Sequence, residues 1–111
     1  MKIRIRKNQI RFRISHADVE ELLAKKVIGC VFELSFFKLD FSVQLYLGPD
    51  CTLVSPKINE LVFFVPENRF RELTERAPSR EGLIFIIPEF DTEKCIFLEI
   101  DYKKSISHIQ V

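Results

Sequence analysis

The sequence predicts an α+β domain, mainly antiparallel β, built from two pseudo-repeated ββαββ units. About eight strands and two helices would form a curved sheet or a barrel-like one. Three observations carry the prediction. First, Asn8–Leu22, NQIRFRISHADVEEL, recurs 51 residues later as Asn59–Leu73, NELVFFVPENRFREL. Asn8/Asn59, Phe12/Phe63, Glu21/Glu72 and Leu22/Leu73 are identical, and Ile10/Leu61, Ile14/Val65 and Val19/Phe70 exchange one apolar side chain for another. Second, segment after segment alternates apolar and polar residues with period two, the pattern of a strand with one covered face. Third, eleven Phe and no Trp favour a core of rings and β-branched side chains.

Lys2 to Arg6 alternates charged and apolar residues, Lys7-Asn8 supplies a turn, and Gln9 to Ile14 alternates again. Such a hairpin sets Arg4, Arg6, Arg11 and Arg13 on one surface and Ile3, Ile5, Ile10, Phe12 and Ile14 on the other. Ser15 is placed to cap a helix reaching about Lys26, with Asp18 and Glu20 at its positive dipole end. Val19, Leu22 and Leu23 form its buried stripe. Val27 to Phe36 reads as a strand, Phe37-Lys38 or a neighbouring pair as the turn, and Leu39 to Leu47 as a second, cleanly alternating strand. Gly48-Pro49-Asp50 closes the first unit.

The second unit opens with Cys51 to Ser55, turns near Pro56 to Asn59, and continues as a strand over Glu60 to Val65. Pro66 suits the first turn of a second helix, which runs to about Arg76 with Phe70 and Leu73 inward. Glu67/Arg71 and Glu72/Arg76 are favourable i, i+4 pairs. Pro78 to Gly82 reads as a loop, Leu83 to Ile87 as a strand, Pro88 to Glu93 as a turn, and Cys95 to Lys103 as the last strand. Ser105 to Val111 reads as a loose tail. Residues 1–111 thus make one domain, with pseudo-repeats over about 1–48 and 51–104.

Composition narrows the function classes. Nearly half of the residues are apolar, which excludes disorder. No run of apolar residues is long enough to span a membrane, and the charged N-terminal stretch is unlike a secretory signal. Three widely spaced cysteines, Cys30, Cys51 and Cys95, without a CxxC read as buried free thiols in a reducing cytoplasm, so neither a zinc site nor another cofactor is expected. His16 falls in the first turn of the first helix and His108 in the tail, with no partner to complete a Cys or Ser nucleophile, and the three glycines are isolated, so nucleophilic and phosphate-loop chemistry have no support. Charge is uneven: residues 1–14 hold six basic side chains and no acidic one, although the whole chain is only +1.

The opening MKIRIRKNQIRFRISHADVEEL, the segment ELVFFVPENRFREL and the strand FLEIDYK resemble a family of short, uncharacterised bacterial proteins that begin with MKIRI. The resemblance implies a bacterial, cytoplasmic setting and no assigned activity. After Asp101 the chain departs from the pattern with a short, Lys-rich tail.

Three candidate sites follow. The row Arg4, Arg6, Arg11 and Arg13 is suited to grip an anionic ligand. The plainer reading is a wet face that guards a sheet edge. Glu99 and Asp101 on the last strand are the acidic counterpart, either as cross-strand partners of the arginines or as part of a site for phosphate or triphosphate. The latter arrangement resembles, at the level of fold alone, the triphosphate-tunnel enzymes. Val62, Phe64 and Phe97 fall on faces that are polar in a half-wet sheet, and Phe36, Phe37 and Phe90 lie at turns, a pattern of a self-association or partner surface. Nucleic acid is not expected, because period two sends Phe12 away from the arginines. The leading expectation is a non-catalytic, self-associating or partner-binding domain. The alternative is a small phosphate-ligand enzyme.

Overall fold

A computed structural model describes residues 1–75, 83–89 and 92–100. The predicted loop Pro78–Gly82, Phe90, Asp101, His108 and the tail lie outside them.

Strand β1 (Lys2–Arg6) turns at Lys7-Asn8 into β2 (Gln9–Ile14), with Ile3 opposite Phe12 and Ile5 opposite Ile10. Helix α1 (His16–Lys25) begins on the Ser15 cap. The Asp18 N–H donates to Ser15 Oγ at 3.1 Å, and the Ser15 N–H donates to Asp18 Oδ2 at 3.0 Å, a reciprocal capping box. Lys26 ends the helix in the left-handed conformation, φ 68°, and its N–H donates to the Leu22 carbonyl. Strands β3 (Val27–Leu34) and β4 (Phe37–Tyr46) form the next hairpin. Its turn is Ser35-Phe36, just before Phe37-Lys38, because the ladder continues to Leu34 opposite Phe37 and pairs backbone groups that a later turn would leave open.

In the second half β5 (Thr52–Val54) pairs with β6 (Glu60–Pro66), α2 spans Glu67–Glu75, and β7 (Leu83–Glu89) pairs with β8 (Thr92–Ile100). Pro66 closes β6 opposite Tyr46 instead of opening the helix. The predicted turn over Pro88 to Glu93 is shorter than expected, because Pro88 and Glu93 are themselves paired. Lys26 Nζ lies 3.1 Å from Glu67 Oε1, and Arg71 Nη2 lies 3.1 Å from Glu67 Oε2. The Lys26 ammonium, with Arg71 beside it, holds the Glu67 carboxyl below its ordinary range.

The strands form two mixed sheets, ordered β1-β2-β8-β7 and β3-β4-β6-β5, rather than one curved or barrel-like sheet. In each, two antiparallel hairpins meet along a parallel pair: β2 against β8, with Phe12 opposite Leu98, and β4 against β6, with Val43 opposite Phe63. Among the described residues four of the six strand pairs are antiparallel, as expected, and the parallel exceptions are these central pairs. Phe12, Ile14, Leu98 and Ile100 from one sheet meet Val43, Leu45, Phe63 and Val65 from the other in a single core, with Leu22, Phe70 and Leu73 from the helices. The Phe12 and Phe63 rings stack 5.4 Å apart. No polar or charged residue is buried among the described residues.

The capping box makes a testable contribution. Burial raises the Asp18 carboxyl, but hydrogen bonds from the Ser15 backbone, the Met1 ammonium at 2.9 Å and the Ser15 hydroxyl outweigh it, so the net shift is downward. A depressed carboxyl stabilises the fold above its unfolded pKa, about 3.9, and that contribution disappears as pH falls through the lower folded value. Asp18→Ala should therefore lose about 1–2 kcal/mol at neutral pH. In urea melts at a series of pH values, its deficit should shrink below about pH 4. A deficit constant down to the acid end would rule out the charge as its source.

Candidate functional site

Period two puts Lys2, Arg4 and Arg6 on the outer side of β1 and Gln9, Arg11 and Arg13 on the same side of β2, away from the apolar core. The register sets Lys2 opposite Arg13 and Arg4 opposite Arg11. The parallel pairing with β8 then lays Cys95, Phe97 and Glu99 beside Gln9, Arg11 and Arg13. Arg11 is fixed from three sides. Its Nη1 donates to Glu99 Oε2 at 2.8 Å, its Nη2 donates to Gln9 Oε1 at 3.2 Å, and its guanidinium carbon sits 4.2 Å from the centroid of the Phe97 ring. Arg13 Nη2 stands 4.0 Å from Glu99 Oε1, a buried oxygen without a hydrogen bond. A shallow cavity of about 210 Å³ opens on this face, lined by Lys2, Ile3, Arg4, Arg11 and Arg13.

The structure therefore brings Arg4, Arg11 and Arg13 together, with Lys2 beside them. Arg6 lies opposite Gln9 and does not line the cavity. Glu99 does meet the arginines as their acidic counterpart; Asp101 lies outside the described residues. The site sits on an outer sheet face, and the two sheets do not close around it. The tunnel arrangement is thus not formed by the described residues.

A family model matches residues 1–103. The chain belongs to DUF7009, a family of unknown function. No curated protein and no solved structure matches it.

The apolar surface of this DUF7009 chain includes Phe36 and Phe37 but not Val62, Phe64 and Phe97. Val62 is only 7% exposed. Phe64 is half-buried, edge-on to the Tyr46 ring at 5.8 Å. Phe97 is the platform beneath Arg11. Of the exposed large apolar side chains, Val31, Phe32 and Leu34 on β3, Phe36 in the turn and Phe37 on β4 lie together at the tip of the β3–β4 hairpin, while Ile5, Leu47, Val54 and Ile58 are exposed elsewhere. The turn near Phe36 and Phe37 makes both candidates from sequence, whereas Phe32 and Leu34 sit in a continuous apolar run that gives no sign of which face is open.

The cysteines are free. Cys51 is buried, whereas Cys30 and Cys95 are half-buried, against the expectation of three buried thiols. Burial pushes the Cys51 thiol up, and the nearby Arg69 guanidinium, whose Nη1 donates to Sγ at 3.6 Å, opposes that shift only in part. Cys51 is therefore a protonated, inert packing residue at neutral pH. Among the described residues no group of three or more His, Cys, Asp or Glu side chains converges as metal ligands. Nor is any described helix long and apolar enough to cross a membrane.

Proposed function

We propose that this chain is a non-catalytic self-association module whose partner is a second copy, joined through the free edge of β3. The observation that carries the reading is an apolar hairpin on an unguarded sheet edge. β3 is the outermost strand of its sheet, and Glu33 is its sole charged residue. The strand at the corresponding edge of the other sheet, β7, has Pro88 and Glu89 where β3 has Glu33 and Leu34, as judged by their partners on β8 and β4. Proline and charge blunt an edge against pairing. β3 keeps eight residues available for an antiparallel, twofold pairing with its own copy.

The exposed apolar area comes close to what such a pair needs. Phe32, Phe36 and Phe37 are 54%, 86% and 45% exposed. At ~150–250 Å² per aromatic side chain, they offer roughly 280–460 Å² per copy. Two copies, with Val31 and Leu34 added, approach the ~1,200 Å² at which stable interfaces begin.

The same reading takes the two halves as copies of one ββαββ unit. Its support is the register: Gln9 faces Cys95 as Glu60 faces Asp40, and Ile14 faces Ile100 as Val65 faces Leu45. The free thiols are in keeping with a cytoplasmic setting.

Light scattering across a gel-filtration peak at tens of micromolar tests the assignment. The wild type should show twice the 13.1 kDa chain mass, and a Phe32→Ser/Phe36→Ser variant should run as a folded monomer. A wild-type monomer throughout that range would sink it.

A further inference from the structure

We propose that the outer face of the β1–β2 hairpin is a binding site for a small phosphoryl anion, pyrophosphate or inorganic phosphate being its simplest form, held by Lys2, Arg4, Arg11 and Arg13. The site lies on the other sheet from β3 and does not depend on self-association.

The register is the first argument. Like charges directly opposite one another destabilise an antiparallel pair, yet Lys2 faces Arg13 and Arg4 faces Arg11 in adjacent rungs. Among the described residues, this arrangement sets four cations against the carboxylate of Glu99. A hairpin that needed only a wet outer face would be more stable with mixed charges. An anion resting between the four removes the repulsion and converts it into attraction.

Rigidity is the second argument. Side chains that merely guard an edge extend into water, whereas Arg11 is held by Glu99, Gln9 and the Phe97 ring before any ligand arrives. A guanidinium fixed in this way forfeits little conformational entropy when its remaining N–H groups grip an oxyanion. Glu99 is thus a positioning residue, reaching Arg11 from β8 while the ligand approaches from the β1 side.

Size sets the ligand class. The cavity, about 210 Å³, is smaller than the ~300–1,000 Å³ typical of sites for drug-sized ligands. Its volume and cationic lining suit a phosphoryl group or two. Among the described residues its walls are cationic apart from Ile3, and none of those lining it is aromatic.

Calorimetric titration of the full chain at about 0.15 M ionic strength provides the test, with pyrophosphate, phosphate and sodium chloride as titrants. Saturable one-site binding of pyrophosphate or phosphate, absent with chloride, is expected. Arg4→Ala and Arg13→Ala should each weaken it about tenfold or more, because each removes a charge-assisted contact. Arg6→Ala, outside the cavity, should leave it unchanged. Arg11→Lys keeps the charge but gives up the two-pronged grip, and it should weaken binding as well. Removing one of two facing like charges should leave the ligand-free melting temperature level or higher, so a lost affinity is not read as lost folding. Three results would overturn the site: no saturation at millimolar anion, an Arg6→Ala loss equal to that of Arg4→Ala, or binding to phosphatidate vesicles without binding to the free anions.

Discussion

Replacing Phe63 with alanine should lower the unfolding free energy by about 3–5 kcal/mol. Phe63 is fully buried at the middle of β6, opposite Val43 on one side and Leu53 on the other. Its ring stacks on Phe12 of the other sheet, with the planes only 18° apart. Truncation removes the transfer free energy of the ring, leaves a void between two sheets whose backbones are held by ladders, and strips Phe12 of its partner. Whole domains are stable by only about 5–15 kcal/mol, so the loss consumes a large share of the total. The melting temperature should fall by roughly 10–20 °C. Urea denaturation should show a lower midpoint with an unchanged slope, since the surface exposed on unfolding is nearly the same. Phe63→Leu, which refills most of the space, should cost much less. In a double-mutant cycle with Phe12→Leu, the ring pair itself should appear as a coupling of about 0.5–1.5 kcal/mol. A Phe63→Ala loss below about 1 kcal/mol would mean that this ring is not clamped between the sheets.

The two core rings illustrate what could be read from the chain. Phe12 and Phe63 occupy matching places in the repeated stretch, and period two turns both inward, so their burial was legible. Their meeting was not, because it depends on pairings between strands far apart in sequence. Gln9 lies beside Cys95, and no local pattern announces a partner at that distance. The same gap explains the strand directions. A hairpin advertises itself through a turn such as Lys7-Asn8, whereas a parallel neighbour leaves no turn to find.

The candidate surfaces follow the same division. Arg4, Arg11 and Arg13 share a face because alternation puts them there, and that much follows from local pattern. Arg6 drops out and Lys2 stands beside the others because the rungs pair Arg6 with Gln9 and Lys2 with Arg13. Phe97 looked like a residue awaiting a partner protein; its partner is Arg11, brought alongside by β8. Phe32 sits in an apolar run as a core residue does, yet it remains exposed because the β3–β4 hairpin is longer than the core beneath it.

Leu22→Ala and Leu73→Ala should each cost about 2–5 kcal/mol, and they provide the sharpest comparison between the two halves. Both leucines belong to the core, one on α1 and the other on α2, at matching positions of the 51-residue repeat. Each helix is short, ten and nine residues, below the length at which helices persist alone in water. Their stability comes from the apolar face pressed against the sheets, and Leu22 is the buried residue of α1. α2 divides that load between Phe70 and Leu73, so its leucine should be somewhat the less costly of the two. A urea series at neutral pH reads both losses directly. A large cost at Leu22 with almost none at Leu73 would mean that α2 is held by Phe70 and its ion pairs alone. The two helices would then share a sequence pattern without sharing a mechanical role, and the duplication would be one of pattern only. Comparable losses would tie the repeated letters to repeated physics, one amphipathic turn wedged into one common core from either half of the chain.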